Sequence, residues 1–483
     1  MFFDSYLFIL VFLPLTLIGY FGINRYKQHK AANWFLILMS FWFYGYFSPL
    51  HLGILVLWTL INYGISRALN QKAVKWLLTV GIVFDLSGLM VCKYYDFLID
   101  SINHVSGGSL PLLRLALPLG LSFYSFQQIA YLVDSYRGET ADHRLDEYLL
   151  FITFFPQLVQ GPILLHGEFI PLLRDESRRK VDYDRMSRGL YGFSLGLAKK
   201  VLLADNLSAL VAFGYSNVNT LYGVDALFTM LCYSLQIYFD FSGYCDMALG
   251  LSTMLGLEVP INFNSPYKAV SIADFWDRWH ITLTRFFTRY IYIPLGGSRK
   301  GTARTYINVL IIFFISGLWH GAAWNFVVWG MMNGVAMVLY RLFRKTWDRV
   351  PKALAVAATF LFDSFAWSMF RAESVGQGLA IMKRVFVGGF NRIHIGFAQA
   401  VESVMEVRIL SNLDLIGIHD KIPELFVLGF VCVLLGAVFG MKNTQEKMKE
   451  MKPSMRYAAV TVILMLWCIL SLSGVTEYIY VNF

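Results

Sequence analysis

Charge is what this sequence has least of. Asp, Glu, Lys and Arg make up 15% of its 483 residues, whereas hydrophobic residues reach 57% and the mean hydropathy is +0.54. Soluble domains carry about 25% charged residues. The deficit excludes a soluble enzyme and a disordered chain, and several uncharged runs exceed the ~18 residues that make a transmembrane candidate. Cysteine is sparse as well. Cys92, Cys232, Cys245, Cys432 and Cys468 are scattered, mostly in apolar runs, without CxxC or metal-ligand spacing. A disulfide scaffold is excluded, and buried free thiols are expected. No HExxH, GxSxG, P-loop or GxGxxG pattern occurs, which leaves soluble hydrolase and nucleotide-hydrolysing chemistry without support.

Apolar sequence is what fills the space. Twelve apolar stretches run from 5–23 to 456–473, and eleven to thirteen spans with some re-entrant pieces are expected. The net charge of +9 does not point to nucleic acid, because the positive residues sit in short loops between these stretches. Residues 5–23 lack a preceding basic region and a small-residue cleavage site, so they read as a retained first span. The basic loops at Arg25–Lys30 and Arg67–Lys75 read as cytoplasmic, as do those at Arg174–Lys180, Arg299–Arg304, Arg341–Lys352 and Lys442–Arg456. That places the N-terminus and the C-terminal tail on the outer face. One integral-membrane domain is expected, with N-terminal helices at 1–105, a core at 106–390, and C-terminal helices plus tail at 391–483.

Ionisable residues inside membrane segments are costly, so each is a candidate site. Two places concentrate them. In Ser271–Gly297, Ser271 and Asp274 form a capping-box-like helix start, and Pro294 with Gly296-Gly297 marks the end. On a continuous helix Arg278, Thr282, Arg285 and Arg289 share one stripe, and Asp274 pairs with Arg278. His280 projects roughly 160° away from Arg278, into the apolar sector. An amphipathic helix lying in the interface explains the arginines but not His280, which needs a partner or a task there. The second place, Tyr306–Tyr340, has no Asp, Glu, Lys or Arg until its end and one histidine, His320. As one helix it would be roughly 50 Å long against ~30 Å of hydrocarbon, so a break is expected at SGLWHGAAWN. A histidine there either bridges helices by hydrogen bonding or serves as a general base or nucleophile. Asp240 and Asp246, in FDFSGYCDM, either orient a histidine or pair with Lys199 and Lys200.

At these residues the sequence resembles the membrane-bound O-acyltransferases, in particular the bacterial branch of alginate and peptidoglycan O-acetyltransferase subunits and teichoic-acid D-alanyl transferases. The carrying motifs are PLGLSFYSFQQIAYLVDSYRG (118–138), FFPQLVQGPI (154–163), YFDFSGYCDMALG (238–250), FNSPYKAVSIADFWDRWHITLTRFFTRYIYIPLGG (263–297) and SGLWHGAAWNFVVWG (316–330). The length and FAWSMFRA (365–372) favour the alginate type. The resemblance implies an all-α polytopic ring of helices around a central tunnel. It implies His320 and His280 as catalytic residues, with Trp276, Trp279, Trp319, Trp324, Asp240 and Asn325 at the tunnel, and no metal. It further implies acetyl-CoA as a cytoplasmic acyl donor, with no permanently bound cofactor. An SGNH-type extracytoplasmic partner, an exported polysaccharide acceptor and a bacterial plasma membrane complete the expected setting. The terminal YIYVNF (478–483) resembles the family's C-terminal aromatic motif, which makes Tyr480 an acyl-carrier candidate; an aromatic interface anchor is the other reading. The alternatives are teichoic-acid D-alanyl transferase-like acyl transfer, a transporter or flippase for a lipid-linked saccharide with histidines in a proton relay, and a non-catalytic secretion scaffold.

Overall fold

The computed structural model describes residues 1–390, 394, 396–402, 404, 407, 422–472 and 478–479. Among these, helices dominate, and one isolated antiparallel bridge joins Phe263 to Trp279. Five helices are long and apolar enough to cross a membrane: α1 (Phe8–Arg25), α3 (Pro49–Gln71), α4 (Lys75–Ser106), α13 (Thr302–His320) and α15 (Lys352–Arg371). Phe426–Gly440 and Thr444–Glu450, bent by 60°, add a sixth if counted as one broken span. A helix satisfies its own backbone hydrogen bonds, which is what a membrane interior demands. The protein is an all-α polytopic membrane protein.

Between these lie α2 (His29–Gly45), α5 (Leu121–Tyr136), α6 (Leu145–Thr153), α7 (His166–Arg174), α8 (Tyr183–Ala198), α9 (Asp205–Ser216) and α10 (Gly223–Leu255). After α10 come the short α11 (Ile272–Trp276) and α12 (Ile281–Phe287), and α14 (Trp324–Leu342) follows α13. Among the described residues, fewer helices are long and apolar enough to span than there are apolar stretches. In α14 the reason is visible: Asn325 and Asn333 lower its hydropathy yet are both buried, and the Asn333 amide donates to the Trp329 carbonyl at 2.9 Å.

The chain forms two compact units. The first comprises Met1–Leu195, Tyr244–Ile261 and Met448–Val462; the second comprises Gly196–Gly243, Asn262–Lys447 and Ile463–Phe483. In the first unit Phe8, Phe12, Phe43 and Phe155 pack ring on ring, with centroids 5.2 to 6.2 Å apart. Its buried Glu147 is paired: it accepts from Arg174 Nε and Nη2, both at 2.8 Å, and from the Arg144 backbone N–H at 2.9 Å. His280 and His320 both belong to the second unit, whose Tyr267, Phe275, Trp279 and Trp367 form an aromatic layer.

Candidate active site

The single helix expected over 271–297 is broken. Its start is as anticipated: the Ser271 hydroxyl accepts the Asp274 N–H at 3.2 Å, and the Asp274 carboxylate accepts the Val270 N–H at 3.0 Å and Arg278 Nε at 2.7 Å. The helix then stops at Trp276, because residues 262–264 pair with 278–281. Asn264 N–H donates to the Arg278 carbonyl (2.9 Å) and Ile281 N–H to the Asn262 carbonyl (3.1 Å). Between these bonds His280 takes the left-handed conformation, φ 46° and ψ 51°. For a residue with a side chain this costs about 1–2 kcal/mol, and such strain concentrates at functional sites. The arginine stripe is split with the helix, Arg278 lying within the break and Arg285 on α12 after it.

The break aims His280 inward, where 1% of it is exposed. Asn262 orients the ring. Its Oδ1 accepts the Thr282 backbone N–H (3.1 Å) and the Thr282 hydroxyl (2.9 Å), so it is an acceptor toward His280 Nδ1 as well, at 3.2 Å. This network assigns the proton to Nδ1 and makes Nε2 the basic nitrogen. His280 lies outside the spans, and burial alone pushes its imidazole down to about 3, so it is neutral at working pH.

His320 ends α13, at the break expected from the length of the apolar run. Glycine is needed one turn earlier for a packing reason. A Cβ on Gly317 would stand 2.5 Å from the Phe326 carbonyl oxygen, and Gly330 of α14 faces α13 just as closely. The two helices therefore touch backbone to backbone where the chain turns between them. His320 is 2% exposed. Its ring centroid lies 4.8 Å from Trp319, 5.0 Å from Trp329 and 5.4 Å from Phe370. The two histidines meet, with centroids 6.4 Å apart. Trp319, 6.0 Å from His280, and Phe241, 4.9 Å from it, complete the walls.

Beside the pair, a cavity of about 310 Å³ runs past Trp276, Asp277, Thr284, Tyr292 and Arg341 to Ser316, one helical turn before His320. Trp276 lines it and packs on Phe313 (5.4 Å) and Trp329 (5.9 Å). Trp279 stands in the layer behind, against Trp367 at 4.8 Å. Three expected tunnel residues sit elsewhere. Trp324, the first residue of α14, is 57% exposed, because the helical turn of ~100° that carries Asn325 inward carries Trp324 out. Asn325 fastens the start of α14 to the Ala372 carbonyl at 2.8 Å. Asp240 is bound to Lys200 at 2.9 Å, the ion-pair alternative for that residue. Tyr480 lies outside the described residues.

Sequence reasoning missed Asn262, Trp329, Trp367 and Phe370. Asn262 sits in a plain INFN turn, and the three rings read as ordinary core; the contacts that give them meaning are non-local. It also missed His143 and His166 of the first unit, whose rings lie 5.2 Å apart.

Two buried imidazoles thus meet at a broken helix, with an apolar cavity one helical turn from His320. The sequence profile described as MBOAT, the membrane-bound O-acyltransferase family, matches residues 36–375. A peptidoglycan O-acetyltransferase of Helicobacter pylori is 37% identical over 92% of this chain and 90% of its own. A Pseudomonas aeruginosa protein named "Probable alginate O-acetylase" is 37% identical, over 80% of this chain and 75% of its own. A teichoic acid D-alanyltransferase of Bacillus subtilis is 26% identical, over 77% of this chain and 98% of its own. The chain belongs to the membrane-bound O-acyltransferase family. It is an O-acyltransferase.

Proposed function

We propose that this protein takes an acetyl group from acetyl-CoA on the cytoplasmic side of a bacterial plasma membrane and hands it outward for O-acetylation of an exported cell-surface polysaccharide. The observation that carries this reading is the meeting of His280 and His320, 6.4 Å apart, from separate elements. A thioester is already activated, so the enzyme's work is to desolvate it, position it and supply a base. The acyl end of the donor occupies the cavity that reaches Ser316. His320 takes the proton of the acceptor hydroxyl as its oxygen attacks the thioester carbonyl. The tetrahedral centre then collapses, the carbon–sulfur bond breaks, and the thiolate leaves with the proton from the imidazolium. His280, neutral and fixed by Asn262, acts as a second acid–base or positioning group.

Tyr480 is the first acceptor in this reading. Its acetyl ester has a phenolate leaving group, better than an alkoxide, and passes the acetyl to the serine of an SGNH-type extracytoplasmic partner. Both termini then lie outside the cytoplasm. Peptidoglycan and alginate, which the relatives' names carry, are the acceptor types to try first. The test is acetyl transfer by purified protein given labelled acetyl-CoA. Wild type should become labelled at its C-terminal peptide, His320→Ala should not, and Tyr480→Phe should fold and bind acetyl-CoA yet fail to pass label on. Normal transfer by His320→Ala overturns the catalytic reading. Normal acetylation of the acceptor by Tyr480→Phe reduces the tail to an anchor.

A further inference from the structure

Lys200, Asp205 and Asp240 form a buried ion triad in the second unit. Lys200 Nζ lies 2.9 Å from Asp205 Oδ1 and 2.9 Å from Asp240 Oδ1, and the lysine side chain is wholly covered. The backbone makes a special turn to place it: Lys199–Ala204 is π-helical, between α8 and α9. Such wide turns are frequent at functional sites. A buried ion cluster is a poor stabiliser, since desolvation offsets the attraction and well-packed apolar residues often do as well. One lysine against two carboxylates also leaves negative charge to be satisfied. Two further contacts tie the triad to the C-terminal segment. Asp240 Oδ2 accepts the backbone N–H of Ile479 at 3.0 Å, across 239 residues of sequence. The Lys200 ammonium stands 4.3 Å from the ring centroid of Tyr478, which is 1% exposed.

We propose that this triad is a recognition site for an aromatic peptide, the chain's own C-terminal segment. Asp240 reads a backbone N–H, which any residue but proline offers, and Lys200 reads an aromatic face by cation–π attraction. The two readings differ in selectivity. Position 479 tolerates any side chain that keeps its N–H, whereas position 478 requires a ring but not a hydroxyl. Phe241, the neighbour of Asp240 on α10, packs edge-on against His280 at 4.9 Å. Consecutive residues of one helix thus anchor the tail and wall the histidine site. Lys200 and Asp240 are positioning residues for the tail. That role rests on Tyr480, the residue after Ile479, being the acyl carrier; the clamp itself rests on the contacts alone.

The experiment is carboxypeptidase digestion of the purified full-length protein, with the C-terminus followed by intact mass. Wild type and Tyr478→Phe should resist trimming past Ile479 equally. Tyr478→Leu and Asp240→Asn should be trimmed past it about 10-fold faster, the size expected for one charge-assisted hydrogen bond or a desolvated cation–π contact. Asp240→Asn disturbs a buried triad, so melting temperature is measured alongside, and the Phe/Leu pair at 478 decides the matter should that variant misfold. Equal trimming of Tyr478→Leu and wild type overturns the proposal, as does a folded Asp240→Asn that resists like wild type. Trimming does not depend on acetylation. Tyr480→Phe that acetylates normally but resists trimming leaves the clamp standing and removes the carrier.

Discussion

Among the described residues there are two pairs of buried histidines in ring contact, one in each unit, and their surroundings differ. In the second unit His280 and His320 are walled by Trp319, Trp329, Phe241 and Phe370, and Asn262 holds the His280 ring at Nδ1. In the first unit His143 and His166 sit among polar partners: His143 Nδ1 meets the Tyr131 hydroxyl at 3.1 Å, and His166 Nε2 meets Asp134 at 3.2 Å. Asp134 in turn holds Arg137 at 3.2 Å. A histidine whose hydrogen-bonding capacity goes to neighbours is structural cement. The pair walled mainly by rings is the one to which the proposed mechanism assigns acid–base work. Proximity of two imidazoles therefore does not by itself mark a catalytic site; what surrounds them distinguishes the two pairs.

The sharpest way to break this contrast is His320→Ala. Loss of a general base should lower acetyl transfer by about 10²–10⁴-fold, with folding and membrane insertion retained. A loss under tenfold, measured with labelled acetyl-CoA, would place His320 with the structural pair. Next comes Asn262→Ala, which leaves His280 in place but removes the acceptor that sets its tautomer. Transfer should fall about tenfold or more, the cost expected of a lost orienting partner. If the rate holds, His280 needs no orientation and its role is packing. A smaller effect is expected at the first pair: His143→Gln should cost about 1–3 kcal/mol of stability, as for a buried polar group losing its partner, without changing the rate per folded molecule. A rate loss there, at unchanged melting temperature, would make that pair part of the machinery.

Stability should also depend on pH. Burial first, then repulsion from His166, lowers His143 to about 4, and burial lowers His280 to about 3. Both folded-state values lie below the ~6.5 of an unfolded histidine. Between these limits the unfolded chain binds more protons, so stability is full above about 6.5 and falls as the pH is lowered toward 4. Tryptophan fluorescence melts in detergent should show the midpoint dropping across that window. His143→Gln should flatten part of the drop, and a midpoint independent of pH there contradicts both assignments.

Much of this protein was legible without coordinates. Membrane class follows from charge content, because burying charge in hydrocarbon is costly wherever it falls in the chain. The break after His320 follows from length, because 35 apolar residues exceed one bilayer crossing. His280 and His320 stood out because an imidazole in apolar sequence needs a partner, and that too is a local property. Other features depend on residues that meet only in the folded chain. The helical projection of 271–297 placed His280 in the apolar sector, but local periodicity cannot anticipate that Asn262 and Asn264 capture the backbone at 278–281 and turn His280 left-handed. Trp324 faces outward because Asn325 is claimed by a carbonyl from a distant loop. Asp240 serves the tail rather than the histidines because Lys200 and Ile479 reach it first, from far along the sequence. Sequence alone determined which residues are costly to bury, since that cost belongs to each side chain and its solvent. The tertiary structure decided which partners offset the cost, since a hydrogen bond or ring contact is a matter of a few ångströms between segments that sequence order does not bring together.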